Sequence, residues 1–497
     1  MLEPLFQGIQ LFFTMDAVFA VLVGTLLGLL IGVLPGLGPL MGIILLLPIT
    51  FHMEPVAGMG LLIAIYVGGS CGGAISAILV RIPGTPLAAA TLLDGYPMAQ
   101  KGRAKDAVGI AISASALGGV LGGIVLIFLA PLLARFALEF APPETFALAL
   151  TGLLVIALVS NEATSKGIMT GAFGLLISTI GYDQFANDLR FTFGVNGLLG
   201  GIHIVAMVVG LFAISEVIVQ IKAGFFSRNP DVPWVRPSLN SALIVLSRWV
   251  NLVRSSAIGS FLGALPGAGG VVSSFTAYAI ARSSSKTPEK FGTGFEDGIV
   301  ATESANNATV GGSLIPTLSL GIPGDATSAV LMGALIILGF FPGPNLFEQH
   351  QDVVGGIFLA YMSANVVLFF AGIFLTPLFV ACIKFKKQYL LPFITLLCVL
   401  GVFSLESSTF HLWVMLVFGA IGYVLRRYDY PLAPMVIGMV LGPIAESNFR
   451  RSLVISGNDY SFFIDRPIAA TILAINLVLI IWMLCPKGWK NKLLRRV

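Results

Sequence analysis

Two long stretches of this chain contain no charged side chain. Residues 107–134 and residues 353–383 have no Asp, Glu, Lys or Arg, and each exceeds the ~20 residues with which a helix crosses about 30 Å of hydrocarbon. Only 10% of the 497 residues are charged, whereas soluble proteins have about 25%. Apolar segments recur to the end of the chain. The sequence therefore predicts an all-α polytopic membrane protein with about 12 membrane-spanning segments.

Two different Pro-Gly motifs occur once in each half of the chain. The segment at 32–38 (GVLPGLG) returns at 263–269 (GALPGAG), and the segment at 82–85 (IPGT) returns at 322–325 (IPGD). A single Pro-Gly pair in an apolar helix is common. Two pairs that return in the same order, with similar flanking residues, indicate an internal duplication.

The loop charges predict that the two copies have opposite orientations. Lys and Arg concentrate in cytoplasmic loops, so we place the basic clusters at 101–105, 222–248, 282–290, 384–387, 426–427 and 487–496 inside the cell. The loop after the first IPG motif is basic, whereas the loop after the second contains Glu348 and Asp352. Equivalent loops therefore lie on opposite sides, as in the inverted repeats of many secondary transporters.

This pattern also predicts the boundaries. Residues 1–221 form the first inverted repeat, 222–247 a basic cytoplasmic linker, 248–466 the second repeat, and 467–497 an extra helix with a basic cytoplasmic tail. The N-terminus is predicted outside, and because the first fifteen residues lack Lys and Arg, we expect no cleavable signal peptide. One loop departs from the charge rule: residues 446–466 should lie outside, yet they contain Arg450, Arg451 and Arg466.

The Pro-Gly motifs break helices at membrane depth. Proline removes a backbone donor, and a following glycine frees the backbone dihedrals. Exposed polar backbone is costly in lipid, so discontinuous helices or re-entrant hairpins are tolerated only within the protein or beside a cavity. Free N–H groups at such breaks can bind anions, and free carbonyls can bind cations. We therefore predict substrate contacts at Pro35, Gly36, Ser70, Pro83, Gly84, Thr85, Pro266, Gly267, Pro323, Gly324, Thr327 and Ser328.

Polar side chains beside the breaks predict an ion site. Oxygen ligands without Cys or His suit a hard cation such as sodium. The predicted ion-binding residues are Ser70, Glu303, Asn306, Asn307 and Asp325, with Asn306, Asn307 and Asp325 as sodium ligands. Packing is the alternative for each Ser and Thr, and a purely structural kink is the alternative for each Pro-Gly pair. Arg81 either anchors the helix at the cytoplasmic surface or pairs with a substrate carboxylate.

Several motifs together resemble the large membrane subunit of tripartite tricarboxylate transporters. They are the segments 32–39 (GVLPGLGP), 66–70 (YVGGS), 82–86 (IPGTP) and 94–97 (DGYP) in the first half, and 263–269, 303–307 (ESANN) and 320–324 (LGIPG) in the second. The resemblance covers nearly the whole chain. It implies a bacterial inner-membrane protein that works with a small four-helix membrane subunit and a periplasmic substrate-binding protein. It also implies import of small carboxylates, driven by an ion gradient that is typically sodium.

The sequence therefore predicts a secondary active transporter and no enzyme. We expect no cofactor beyond the coupling ion, the lipid bilayer but no nucleic acid as a partner, and a chain compatible with homo-oligomers. An anion channel or facilitator is the alternative, since broken helices occur in both. An intramembrane protease using Asp183 and Asp325 is a further alternative, although no zinc-protease motif is present.

Overall fold

The computed structural model describes residues 3–34, 36–159, 164–183, 185–222, 234–267, 269–383 and 387–484. Pro35, residues 223–233 of the predicted linker, and the predicted C-terminal tail from residue 485 lie outside the described residues.

The described chain is almost entirely helical, which confirms the predicted all-α membrane fold. The exception is a small antiparallel hairpin in which β1 (Gly181–Asp183) pairs with β2 (Asp188–Arg190). The helices up to residue 222 are α1 (Glu3–Phe12), α2 (Met15–Val33), α3 (Gly38–Thr50), α4 (Pro55–Val80), α5 (Leu92–Met98), α6 (Ala104–Ala137), α7 (Pro142–Val159), α8 (Thr164–Ser178), α9 (Ile204–Val208) and α10 (Ser215–Lys222).

The helices after residue 233 continue the same numbering. They are α11 (Ser241–Ser247), α12 (Trp249–Ala264), α13 (Gly269–Ser283), α14 (Glu296–Leu320), α15 (Ala326–Ile337), α16 (Pro344–Gln349), α17 (Gln351–Cys382), α18 (Lys387–Glu406), α19 (Thr409–Arg427), α20 (Ala433–Ile455), α21 (Phe462–Asp465) and α22 (Pro467–Leu484). Short tight or wide helical turns lie at Pro86–Ala88, Ala99–Arg103, Asn196–Leu198, Val209–Ile214 and Pro288–Lys290.

Six described helical segments are long and apolar enough to cross a bilayer. They are Met15–Val33, Pro55–Val80, Leu92–Ala137, Ile204–Lys222, Gln351–Cys382 and Thr409–Arg427. Shorter apolar helices, such as Gly38–Thr50 and Ala326–Ile337, accompany them. The total of about 12 spans and the opposite orientation of the repeats stay predictions.

The chain forms two compact units, and each contains helices from both halves of the sequence. The first comprises residues up to Leu138 together with Val205–Val424, and the second comprises Glu139–Ile204 together with the chain from Leu425. The predicted repeat boundaries describe the order of the sequence and stay a prediction. In space, the units mix the halves: α20 packs on α7 and α8 in the second unit, and α9 and α10 lie in the first.

In the first unit, equivalent helix pairs cross through glycines. A Cβ on Gly28 of α2 would lie 2.6 Å from the carbonyl oxygen of Ile65 in α4, and one on Gly259 of α12 would lie 2.3 Å from that of Ala305 in α14. Membrane helices gain little from apolar burial against one another. They associate through such close contacts between small residues. The helix pairs α2–α4 and α12–α14 are therefore packed backbone against backbone, and both pairs lead into the Pro-Gly breaks.

In the second unit, ion pairs account for arginines that depart from the charge rule. Arg450 Nη1 lies 2.9 Å from Asp183 Oδ2, and its Nη2 lies 2.9 Å from Glu446 Oε1. Arg466 Nε lies 2.5 Å from Glu144 Oε1. These two arginines are neutralised locally, so they carry little weight in setting orientation.

The carboxylate of Asp183, in the β1–β2 hairpin, is expected to make the stability of the protein depend on pH. The backbone N–H of Phe185 is the main cause that lowers the pKa of Asp183; Ala186 and Arg450 add to it, whereas burial acts in the opposite direction. A lowered folded-state pKa stabilises the protein above the unfolded value of about 3.9, and this contribution is lost as pH falls through the folded value. We therefore expect Asp183→Asn to lower the thermal midpoint at pH 7, with a deficit that shrinks as the pH falls below about 4.

Thermal melts of the detergent-solubilised protein between pH 7 and pH 3 measure this difference. Asp188→Asn, at an exposed position of the same hairpin, is the control and should melt like the wild type throughout. A deficit of Asp183→Asn that stayed constant over this pH range would contradict the prediction.

Candidate functional site

In each half of the chain, the two Pro-Gly breaks meet, and the same backbone hydrogen bond joins them. We call each meeting point a crossing. The N–H of Gly36 donates to the carbonyl of Gly84 with an N···O distance of 3.1 Å, and the N–H of Gly267 donates to the carbonyl of Gly324 with a distance of 2.6 Å. Gly36 and Gly267 have φ angles of 91° and 85°, which glycine adopts at little cost. Each break thus satisfies backbone groups of the other break in its half, as a membrane interior requires.

The second glycine of each crossing is held in close contact. A Cβ on Gly84 would lie 2.0 Å from the carbonyl oxygen of Gly32, and one on Gly324 would lie 2.6 Å from that of Gly263. The N–H of Gly84 donates to the carbonyl of Gly73 at 3.3 Å. A substrate carboxylate predicted to bind this N–H would have to replace that hydrogen bond. The neighbouring prolines differ in burial: Pro83 and Pro266 are partly buried, whereas Pro323 is buried.

Asp325 caps a helix and pairs with α4. Its Oδ1 accepts from the N–H of Ser328 at 2.8 Å, and its own N–H donates to Ser328 Oγ at 2.9 Å, so the two residues form a capping box at the start of α15. The hydroxyl of Tyr66 donates to Asp325 Oδ2. Both carboxylate oxygens therefore have donors in this conformation. Asp325 and Ser328, predicted as ion and substrate contacts, stabilise the second break; Thr327 lies beside them and is almost fully buried.

The equivalent position in the first half is not closed in this way. Because Pro83 corresponds to Pro323, Thr85 corresponds to Asp325. Tyr66 precedes Pro83 by as many residues as Asn306 precedes Pro323, so Tyr66 of α4 corresponds to Asn306 of α14. Thr85 Oγ1 and Asn306 Oδ1 have no hydrogen-bond partner among the described residues, and both side chains are 1% exposed. Two buried oxygens are thus unpaired at the sequence positions that correspond to the hydrogen-bonded pair Tyr66 and Asp325.

Asn306 is oriented so that its oxygen is the unpaired atom. Its Nδ2 donates to the main-chain carbonyl of Ser70 at 2.9 Å. A Cβ on Gly270 would lie 3.1 Å from Asn306 Oδ1 and 2.6 Å from Leu87 Cδ2, so α13 and the segment after Thr85 approach this oxygen. The arrangement leaves a lone-pair acceptor, to which a cation or a hydrogen-bond donor can bind and an anion cannot.

Ser70 contributes its carbonyl rather than its hydroxyl. The hydroxyl donates to the carbonyl of Tyr66 one turn earlier, at 2.8 Å. This back-bond is the packing alternative that membrane helices often use for serine. The predicted contact through the Ser70 side chain would require the hydroxyl to leave its own helix.

Asn307 is the second buried amide of the site. Its side chain is 0% exposed, and neither Oδ1 nor Nδ2 has a partner among the described residues. Its main-chain carbonyl accepts from the hydroxyl of Tyr361 at 3.1 Å. A buried amide without partners is costly, so Asn307 marks a position where the chain tolerates unsatisfied polar atoms.

Glu303 places a carboxylate one helical turn before these amides. It is 0% exposed and accepts hydrogen bonds from the hydroxyls of Thr91 and Ser115, the latter at 2.7 Å. No Lys, Arg or His forms an ion pair with it in the described part of the chain. A carboxylate held at membrane depth by hydroxyl groups is expensive, and such groups usually mark an ion pathway.

Asp94 joins the first break to the second half of the chain. Its Oδ1 accepts from the N–H groups of Gly292, Gly294 and Phe295 at 2.7–2.9 Å, and its Oδ2 accepts from Tyr278 Oη at 2.9 Å. The carboxylate fills a nest of backbone donors, so the segment that contains Thr91 is fixed to the loop before α14. This positions Thr91 against Glu303.

Sequence reasoning did not identify Tyr66 or Ser115 as site residues, whereas it placed Thr91 among the small polar residues beside the breaks. Tyr66 lies in a motif that was noted, and extending the repeat alignment backwards from Pro83 would have paired it with Asn306. Ser115 carries no comparable signal, because a lone hydroxyl in an apolar segment is common.

The residues present fit a hard monovalent cation better than a transition metal. The unpaired atoms are neutral amide and hydroxyl oxygens close to one carboxylate, which is the donor set that hard cations use. Within the described residues, no three His, Cys, Asp or Glu side chains group into a metal site.

The aspartates of the protease alternative have other partners. Asp183 pairs with Arg450 and belongs to the second compact unit, whereas Asp325 caps α15 in the first. Each carboxylate is engaged in stabilising its own surroundings.

Comparison with known proteins identifies the family. The sequence profile described as "Tripartite tricarboxylate transporter TctA family" matches residues 18–437. The chain belongs to the TctA family. A 52.8 kDa protein of Agrobacterium vitis, from the TAR-I ttuC′ 3′ region, is 36% identical over 454 residues, covering 89% of this chain and 88% of that protein. A second A. vitis protein, from the TAR-II ttuC′ 3′ region, is 37% identical over 228 residues, 46% of this chain and 94% of that protein.

Family membership confirms the resemblance seen in the motifs. As a TctA family member, the chain is a multi-pass membrane component of a tricarboxylate transporter. The matched region contains both Pro-Gly crossings and every candidate residue from Gly36 to Ser328.

Proposed function

We propose that this TctA family member imports small carboxylates, such as a tricarboxylate or a dicarboxylate, across the bacterial inner membrane by sodium symport. It receives its substrate from a periplasmic binding protein, works with a small four-helix membrane subunit, and catalyses no chemical reaction. One observation carries the proposal: Asn306 Oδ1 and Thr85 Oγ1 are buried and have no partner among the described residues, although the equivalent residues Tyr66 and Asp325 form a hydrogen bond.

The chemistry of these atoms supports a cation as the coupling partner. Asn306 offers an acceptor because its amide nitrogen is used by Ser70, and Thr85 offers a hydroxyl oxygen. Glu303 adds a carboxyl group one turn away, which is negative when ionised and has no basic partner among the described residues. We therefore assign sodium to Asn306, Asn307 and Thr85, with Glu303 supplying the field, and assign Asp325 to holding the second break closed.

The charge of Glu303 explains how the binding of sodium and of the carboxylate substrate would be coupled. An anion that approaches this site alone would be repelled by ionised Glu303, and this repulsion is strong at low dielectric. A sodium ion bound first offsets that charge and makes binding of the carboxylate favourable. Release of either solute then weakens the binding of the other, which is the reciprocal coupling that symport requires. A rocking motion or an elevator motion would serve equally.

Uptake into proteoliposomes tests the proposal. Vesicles contain this chain with its small membrane subunit, the binding protein is added outside, and labelled citrate or succinate is supplied with or without an inward sodium gradient. We expect saturable uptake that requires both the gradient and the binding protein. Uptake that is indifferent to the gradient would instead indicate a channel or facilitator, and uptake of no carboxylate by folded protein would refute the substrate class.

A further inference from the structure

Arg81 has a backbone conformation that arginine rarely adopts. It follows the last residue of α4 with φ 58° and ψ 20°, in the left-handed region. The equivalent residue after α14 is Gly321, with φ 67° and ψ 27°. Glycine adopts this conformation without steric cost, whereas a side chain with a Cβ is strained there. A strained residue is retained where an interaction of its side chain outweighs the energetic cost of the strained backbone.

The guanidinium of Arg81 contacts an aromatic ring but has no acceptor among the described residues. Its Cζ lies 5.4 Å from the centroid of the Tyr96 ring, a cation–π contact. Arg81 makes no ion pair and no hydrogen bond with another residue in the part of the chain that the structure describes. Basic residues of the following loop differ, since Lys101 Nζ donates to the carbonyl of Thr293 at 2.6 Å and Arg103 pairs with Glu296 at 2.8 Å.

Few other donors are available to an anion at the first break. The N–H of Gly84 is used by Gly73, and the N–H of Gly36 is used by Gly84. Thr85 supplies one hydroxyl, four residues beyond Arg81. At the second break a side chain is disfavoured: a Cβ on Gly321 would lie 3.0 Å from the carbonyl oxygen of Pro342.

We propose that Arg81 binds a carboxylate group of the transported anion at the break after α4. The planar guanidinium presents parallel N–H donors that match a carboxylate in a bidentate contact, and the Tyr96 ring orients it. The inference rests on the proposed function, because it names the residue of that site that recognises the anion. It also makes the two breaks chemically different: the first has the cationic side chain, and the second has the anionic Asp325.

Anchoring at the membrane surface is the competing role, and it makes different predictions. An anchor needs only a long cationic side chain, so lysine would replace arginine fully. A bidentate contact needs the planar fork, so lysine would bind more weakly. Glycine removes the contact but also relieves the backbone strain, so a binding role predicts weaker affinity together with unchanged or greater stability.

The test is a thermal-shift titration of the detergent-solubilised complex of this chain and its small subunit, at saturating sodium. The ligand is whichever of citrate or succinate the wild type transports. We expect the apparent Kd to rise about tenfold or more in Arg81→Gly and less in Arg81→Lys. The sodium half-saturation, titrated separately without carboxylate, should be unchanged. Asp429→Gly is the matched control, because Asp429 has φ 56° in an exposed loop; its apparent Kd should stay at the wild-type value.

Two outcomes would overturn the inference alone. One is an apparent Kd of Arg81→Gly within twofold of the wild type, and the other is full wild-type affinity in Arg81→Lys. If the wild-type complex neither transports nor binds a carboxylate, the proposed function fails, and the inference fails with it.

Discussion

Asn306→Ala is expected to reduce sodium-dependent carboxylate uptake about tenfold to a hundredfold at unchanged expression. The substitution removes the unpaired Oδ1 and also the Nδ2 that holds the carbonyl of Ser70. Loss of one buried polar contact to a charged species costs roughly 1.5–3 kcal/mol, which corresponds to this range. The half-saturation constant for sodium should rise, because the ion loses a ligand. Thr85→Val, which keeps the shape and removes the hydroxyl, should raise it in the same direction.

Asn365→Ala separates this effect from a general loss of stability. Asn365 is also 0% exposed, its Nδ2 also donates to a main-chain carbonyl at 2.9 Å, and its Oδ1 is also unpaired. It lies on α17, against Gly119, and outside the candidate site. We expect Asn365→Ala to lower the thermal midpoint and to leave the sodium half-saturation unchanged. A wild-type sodium dependence in Asn306→Ala, with folded protein confirmed, would refute the ion site.

Much of the architecture follows from the sequence, because each step depends on local chemistry. Long uncharged segments predict helical spans, and a repeated Pro-Gly pair predicts repeated breaks. The structure forms the same hydrogen bond at both breaks, from Gly36 to Gly84 and from Gly267 to Gly324. These features depend on a few neighbouring residues, so periodicity and composition are sufficient to find them.

The partners of the polar side chains could not be predicted in the same way. Tyr66 and Asp325 are far apart in sequence, and their contact depends on how α4 rotates against the start of α15. The sequence indicated that Asp325 lies at a break, but a helix cap and an ion ligand both need a carboxylate there. Ser70 likewise has two uses, and only the structure shows that its hydroxyl bonds to its own helix.

The division of the chain into two compact units could not be predicted from the sequence either. A linker between halves suggests two consecutive domains, yet α20 packs with α7 and α8 while α9 and α10 belong to the other unit. Apolar helices of similar length carry little information about which neighbours they choose, because lipid and protein are equally apolar surroundings. Small residues show which face of a helix is in contact, but they do not show which helix packs against it.

The close contact at the first break predicts a large effect on folding. Gly84→Ala places a methyl group 2.0 Å from the carbonyl oxygen of Gly32, 2.7 Å from Ser76 Oγ and 2.9 Å from the Cα of Gly73. Gly84 cannot easily move away, because its N–H and its carbonyl are both hydrogen-bonded. Overpacking typically costs about 1–3 kcal/mol, and more where the surroundings cannot move. We expect Gly84→Ala to yield little folded protein, or protein with a strongly lowered thermal midpoint.

Fluorescence-detected size exclusion with thermal challenge measures this loss. Gly324→Ala should be less severe, since its added Cβ would lie 2.6 Å from the carbonyl oxygen of Gly263. Gly200→Ala is the control, because a Cβ there has no heavy atom within 4 Å, and it should behave like the wild type. The order of stability, wild type and Gly200→Ala above Gly324→Ala above Gly84→Ala, follows from distance alone. A wild-type midpoint in Gly84→Ala would mean that the break after α4 does not pack against Gly32 of α2, and the first break would then need another geometry.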